Sequence, residues 1–186
     1  MPKEAENKRK SITKNFVRLD GKDEYKTNDK TLEEVKYTKV GVVDERNFPD
    51  ALASSPLTLK REIGIQLVDG SKAYMPTHKV VYTYGGVDSV KQDGGKRLAG
   101  KDRYETNKEI NKELGKVNTV TLADGRNFAD ALSAVNVIKA NGGFILLTRP
   151  NMNKTDKEYL KDKNNVFIVG GEQSISNEIV KFLLDK

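Results

Sequence analysis

The chain has 186 residues, 36% hydrophobic and 32% charged, and 33 Lys and Arg against 27 Asp and Glu give a net charge of +6. This is enough apolar material for one or two small packed domains and too little for a large multidomain machine. The absence of cysteine and the presence of a single histidine, His78, exclude disulfides, zinc fingers and thiol nucleophiles and leave histidine chemistry one candidate residue.

Residues 1–17 form a polar, basic tail carrying +3, residues 18–96 are neutral, and residues 97–186 carry +3. The opening Met1-Pro2-Lys3-Glu4-Ala5-Glu6-Asn7 lacks the apolar stretch of a signal peptide, and no segment reaches the roughly 20 apolar residues of a membrane-spanning helix. Membrane insertion is therefore not expected. Beyond the short run Lys8, Arg9 and Lys10, no basic stripe of the kind a duplex binder needs is present, and nucleic acid is not an expected partner.

From residue 18 the chain repeats itself. Arg18-Leu19-Asp20-Gly21-Lys22-Asp23-Glu24-Tyr25-Lys26-Thr27-Asn28 matches Arg97-Leu98-Ala99-Gly100-Lys101-Asp102-Arg103-Tyr104-Glu105-Thr106-Asn107 at eight of eleven positions, offset by 79. The block from Asp44 to Leu52 matches Asp124 to Leu132 at seven of nine, offset by 80, and Gly85-Gly86 with Ser89 matches Gly170-Gly171 with Ser174, offset by 85. Three ordered blocks at nearly constant offset divide the chain into copy one (18–96) and copy two (97–186).

Copy one has apolar runs at Val40–Val43, Ile65–Val68 and Val80–Thr83. They read as buried strands, and Pro76 argues against a helix between the last two. Copy two has strand runs at Val120–Leu122, Phe144–Leu147 and Val166–Val169. Between them Phe128, Ala131, Leu132, Val135 and Ile138 keep helical spacing, Thr155 and Glu158 suggest a capping box, and Ile175, Ile179, Phe182 and Leu183 suggest a closing helix that copy one lacks. Alternating strands and helices predict α/β architecture: two tandem small three-layer units with mostly parallel sheets.

The first block predicts a helix N-cap at Asp102, with Glu105 at the third helical position and Gly100 turning the chain into it. Arg103 and Tyr104 remain as a cation and an amphipathic ring suited to an anionic or sugar-like ligand. In copy one Glu24 replaces Arg103. In the second block Asn47 and Asn127 read as N-caps, Phe48 and Phe128 as inward core residues, and Asp50 and Asp130 as first-turn acids. Arg46 and Arg126 stand as ligand contacts or as solvated charges. Gly170-Gly171 with Ser174 reads either as an anion-accepting nest or as a site of close helix packing. No Walker loop, Gly-x-Gly-x-x-Gly run, catalytic carboxylate pair or serine beside a base occurs. No catalytic residue, metal or cofactor is expected, and His78 reads as a loop residue beside Pro76.

Together these blocks resemble the type 2 cell-wall-binding repeat of clostridial surface proteins, with residues 18–93 a degenerate copy. The resemblance implies a flavodoxin-like or Rossmann-like fold and a non-catalytic module that attaches non-covalently to an anionic, teichoic-acid-like polysaccharide. The candidate polymer-binding residues are Arg97, Arg103, Tyr104, Arg126, Asn127, Gly170, Gly171 and Ser174 in copy two, with Arg18, Tyr25 and Arg46 in copy one. Members of that family usually carry three copies, which implies that a homo-oligomer or another repeat-bearing chain completes the packing here. The expected location is the cell wall or surface for a form trimmed from a secreted precursor. The alternative is cytoplasmic synthesis and release by lysis, as a structural or assembly subunit of a phage or phage-tail-like particle.

Overall fold

The computed structural model describes residues 17–91, 94–161 and 163–185. Apart from Val17, the basic tail lies outside the described residues. Copy one holds α1 (Glu24–Val35), β1 (Lys39–Asp44), α2 (Phe48–Arg61), β2 (Gly64–Val68) and β3 (Lys79–Tyr84). After β4 (Lys96–Leu98), copy two holds α3 (Arg103–Leu114), β5 (Thr119–Asp124), α4 (Phe128–Asn141), β6 (Phe144–Thr148), α5 (Lys154–Glu158), β7 (Asn165–Val169) and α6 (Asn177–Leu184). Every strand pair is parallel, in the orders β2-β1-β3-β4 and β6-β5-β7. The central strands β1 and β5 are buried almost throughout, as the continuous apolar runs of a parallel sheet covered on both faces require.

The first residues of copy two complete the sheet of copy one. β4 lies on β3 in the register Tyr82–Lys96, Thr83–Arg97 and Tyr84–Leu98, so the expected boundary at residue 96 falls inside a strand. Helix α2 packs on its own sheet and also against α3, α4 and β6 of the other copy. One hydrophobic cluster runs from Val43, Leu57 and Tyr84 into Ile110, Val120 and Leu146. The two copies therefore share a core.

Two local expectations are corrected. Phe48 and Phe128 do not point into the core: Phe128 is 52% exposed, and the two rings meet edge to face at 5.4 Å across the joint between copies. As the first residues of their helices they stand at the rim, above the sheet. The capping box of α5 is formed by Asn153 and Asp156 rather than by Thr155 and Glu158. Asn153 Oδ1 accepts from Thr155 N at 2.9 Å, and Asp156 Oδ2 accepts from Asn153 N at 2.8 Å. Among the described residues copy one has no counterpart of α5 or α6, as Pro76 and the shortened sequence predict.

The repeated Gly-Lys-Asp-x-Tyr-x-Thr-Asn block is largely explained by local bonding. Asp102 and Asp23 cap their helices by accepting from Glu105 N and Lys26 N, each at 2.8 Å. The threonines accept from the preceding glycines, Gly100 N to Thr106 Oγ1 at 3.0 Å and Gly21 N to Thr27 Oγ1 at 2.9 Å. The asparagines satisfy the free edge of the outer strand. Asn107 donates to Ile145 O at 2.8 Å and accepts from Leu147 N at 3.0 Å, as Asn28 does with Ile65 O and Leu67 N. Asn107→Leu leaves the buried Leu147 N–H without an acceptor. The expected loss is about 2 kcal/mol, read as a fall in Tm of roughly 4–8 °C; a Tm unchanged from the parent would contradict this role.

Candidate functional site

The repeat blocks converge at the carboxyl ends of the parallel strands, the rim where α/β sheets bind ligands. In copy two, Asp124 ends β5, and Arg126 grips it with two prongs, Nε to Oδ1 at 2.9 Å and Nη2 to Oδ2 at 2.8 Å. Burial pushes the Asp124 carboxyl up, but the paired guanidinium prevails and holds it below the ordinary carboxylate range. Arg126 remains half-exposed, ion-paired to Asp124 and open to solvent. Asn127 caps α4 by accepting from Ala129 N at 3.0 Å.

Tyr104 stands beside this pair. Its ring abuts Gly125, where an added Cβ would come within 2.7 Å of it, and burial raises its hydroxyl pKa. Arg103 donates to Gly125 O at 2.8 Å, and the guanidinium carbon of Arg149 lies 5.0 Å from the Tyr104 ring centre. Arg149 also pairs with Asp102 at 3.4 Å. Sequence reading missed Arg149; its position directly after β6, at the same rim as Arg126, was the available signal. Three arginines thus surround one aromatic ring, an arrangement suited to an anionic or sugar-like group.

Copy one reverses the sign at two matching positions and adds an acid at a third, while Arg46 keeps the charge of Arg126. Glu24 stands for Arg103, Glu45 for Gly125 and Asp69 for Arg149. Burial, followed by the charge of Glu45, pushes the Tyr25 hydroxyl up to about 12. Lys72 and Ser71 hold Asp69 well below the usual carboxylate range, so it is charged. Arg46 is committed to Asp44 at 2.8 Å, with Asp69 3.8 Å away. This rim is acidic where that of copy two is cationic.

Between the copies lies a cavity of about 290 Å³ lined by Asn47, Asp50 and Ser89 from copy one and Lys101, Asp102 and Arg103 from copy two. Only Arg103 of these was singled out from sequence for polymer contact. Asn47 opens α2 without a side-chain cap bond; its amide instead donates to Asp50 Oδ2 at 2.6 Å. Asp50 is 2% exposed, and its Oδ1 has no hydrogen-bond partner. Burial pushes its carboxyl up to about 7, against the opposing pull of Arg103.

The remaining candidates lie elsewhere. Arg97 donates to Gly85 O at 2.8 Å and Val90 O at 2.9 Å, which fastens β4 to the turn after β3. Arg18 is half-buried at the start of copy one. Gly170, Gly171 and Ser174 follow β7, at the carboxyl end of the outer strand of copy two, where Gly171 O accepts from Ser174 N and Ile175 N, both at 2.9 Å. Gly170 has φ 134°, and an added Cβ would lie 2.8 Å from Asp130 Oδ2. The glycine makes room for that carboxylate, as Gly85 does for Asp50. His78 is a half-buried loop residue, with Nδ1 2.8 Å from Thr77 Oγ1. Among the described residues no group of three or more His, Asp or Glu is placed to hold a metal ion, and no helix is long and apolar enough to cross a membrane.

The chain is 26% identical over 159 residues to the N-acetylmuramoyl-L-alanine amidase LytC of Bacillus subtilis (strain 168), covering 74% of this chain and 32% of that protein. It is 28% identical over 199 residues to the amidase enhancer of the same organism, covering 99% of this chain and 28% of that protein. The chain therefore spans about a third of the length of these relatives. Among solved structures, Cwp8 from Clostridium difficile superposes with a TM-score of 0.79 at 24% identity, over 98% of this chain and 37% of that one. Cwp6 from the same organism superposes with a TM-score of 0.75 at 22% identity, over 88% and 30%. Both share the fold. The family model for cell wall binding domain 2 (CWB2) matches residues 18–93 and 97–180, and with two tandem matches over most of its length the chain belongs to the CWB2 family.

Proposed function

We propose that the chain is a non-catalytic module that attaches non-covalently to an anionic, teichoic-acid-like polysaccharide of the cell wall or cell surface, and that contact is made by copy two. The observation that carries this reading is the cationic rim of Arg103, Arg126 and Arg149 around Tyr104, set against the acidic rim of Glu24, Glu45 and Asp69 around Tyr25. A polyanion gains Coulomb energy at the first and loses it at the second. The reading also includes a further repeat, supplied by a second copy or another repeat-bearing chain.

The test is retention on purified walls. Arg126→Ala is expected to weaken retention at least fivefold, whereas the matching Arg46→Ala leaves it unchanged. Raising salt to roughly 0.5 M lowers retention in the parent. Equal retention on walls stripped of anionic polymer would overturn the reading.

A second reading, a structural or assembly subunit of a particle released by lysis, is supported by the same acidic rim, since copy one is then remodelled for protein contacts. It requires the chain to be recovered in a high-mass assembly rather than with walls.

A further inference from the structure

The joint between the two copies is a template, and copy two ends with the acceptor half of that joint unfilled by any described residue. We propose that residues 17–19 and helix α1 of a second copy of this chain dock on the β7 edge and the α4 face of copy two, repeating between molecules the joint made within the chain. The inference rests on the expectation of a further repeat, and it is independent of the wall polymer.

Within the chain the joint has three parts. β4 pairs with the edge of β3, Gly85 N donates to Leu98 O at 3.0 Å, and the Arg97 guanidinium holds the carbonyls of Gly85 and Val90. Helix α3 then covers α2, whose Ala53 is fully buried.

Copy two offers the same acceptor. Phe167, Ile168 and Val169 stand where Tyr82, Thr83 and Tyr84 stand in copy one, and among the described residues no strand lies on the outer edge of β7. Thr83 is 0% exposed and Ile168 is 41% exposed. The turn that follows is built alike, with Ser89 and Val90 donating to Gly86 O as Ser174 and Ile175 do to Gly171 O. This places the carbonyls of Gly170 and Ile175 where those of Gly85 and Val90 receive Arg97. On α4, Leu132 and Ser133 are exposed where Leu52 is half-buried and Ala53 is covered. An open edge strand bearing an exposed isoleucine invites pairing with another strand.

The donor is at the other end. Residues 17–20 pair with no described strand, and Val17 and Leu19 are exposed, whereas Leu98 at the matching position is buried. The register inherited from β4 sets Val17, Arg18 and Leu19 against Phe167, Ile168 and Val169. Arg18 already has contacts within the chain, so the argument rests on the strand edge and the exposed apolar side chains. One feature keeps the association weak. Arg103 faces Asp50 across the internal joint, but in a second copy Glu24 takes that place and faces Asp130, acid against acid. Because donor and acceptor are different surfaces, the contact runs head to tail.

Sedimentation equilibrium of the full chain tests this. The parent is expected to self-associate at high concentration, and Glu24→Arg is expected to tighten association at least tenfold. Leu19→Asp, which disables the donor, and Ile168→Lys, which disables the acceptor, each give monomers with unchanged circular dichroism. An equimolar mixture of the two regains a one-to-one dimer, because one intact donor and one intact acceptor remain. Monomers for both the parent and Glu24→Arg at roughly 1 mM, association indifferent to the two disabling changes, or a mixture that stays monomeric overturns the proposal. A chain that is retained on walls yet stays monomeric, with Glu24→Arg, at that concentration would overturn this inference and leave the wall-binding reading standing.

Discussion

Lys108→Met is expected to destabilise the chain by about 3 kcal/mol, a fall in Tm of roughly 6–12 °C. Lys108 lies on α3 with its Nζ 2.6 Å from Asp156 Oδ1, and the two side chains are only 5% and 2% exposed. Asp156 opens α5, the helix absent from copy one, so this pair fastens the additional segment of copy two to its neighbour. The other carboxylate oxygen accepts from Asn153 N at 2.8 Å and lies 3.7 Å from Arg149. Removing the ammonium leaves a charge that can neither reach water nor find an equal partner. Adding Asp156→Leu to Lys108→Met should cost much less than the sum of the two single changes, because no orphaned charge remains. Thermal unfolding of the double-mutant cycle measures this coupling. Strict additivity, or a loss below about 1 kcal/mol for Lys108→Met, would mean that Arg149 takes over the carboxylate and the pair is not the fastener.

The second large effect is a pH dependence centred on Asp50. The folded carboxyl holds its proton up to about pH 7, whereas the unfolded chain releases it near pH 4. The folded state therefore binds more protons in that window, and the stability contributed by this group, complete below about pH 4, is lost as pH rises through about 7. The loss is on the order of 4 kcal/mol at most. Asp50→Asn keeps the shape and an acceptor for Asn47 but cannot ionise. Its stability should be flat across the window and exceed that of the parent at pH 8. Urea titrations at pH 5 and pH 8 distinguish the cases; a parent equally stable at both pH values would show that Arg103 or water stabilises the buried carboxylate fully.

Much of this protein is legible along the chain. The strands at Val40–Val43 and Val120–Leu122 declare themselves by continuous apolar runs, and Asp102 by its position before a helix, because both signals are local. The strand at Lys96–Leu98 carries no such signal. It is three residues long and mostly charged, and it exists because the edge of β3 and the carbonyls of Gly85 and Val90 receive it. Arg149 escaped notice because its neighbours at the rim are distant in sequence, and Phe128 misled because apolar character alone does not say which end of a helix faces the sheet.

The sequence alone determined the repeat, the parallel α/β class, the neutral first copy and the basic second one, since these depend on composition and on spacing within each copy. The tertiary structure decided how the copies meet. It set β4 of copy two into the sheet of copy one, buried Asp50 beside Arg103, gathered three arginines around Tyr104, and left no described strand on the outer edge of β7. Those features depend on contacts between residues far apart in the chain, which no local pattern encodes.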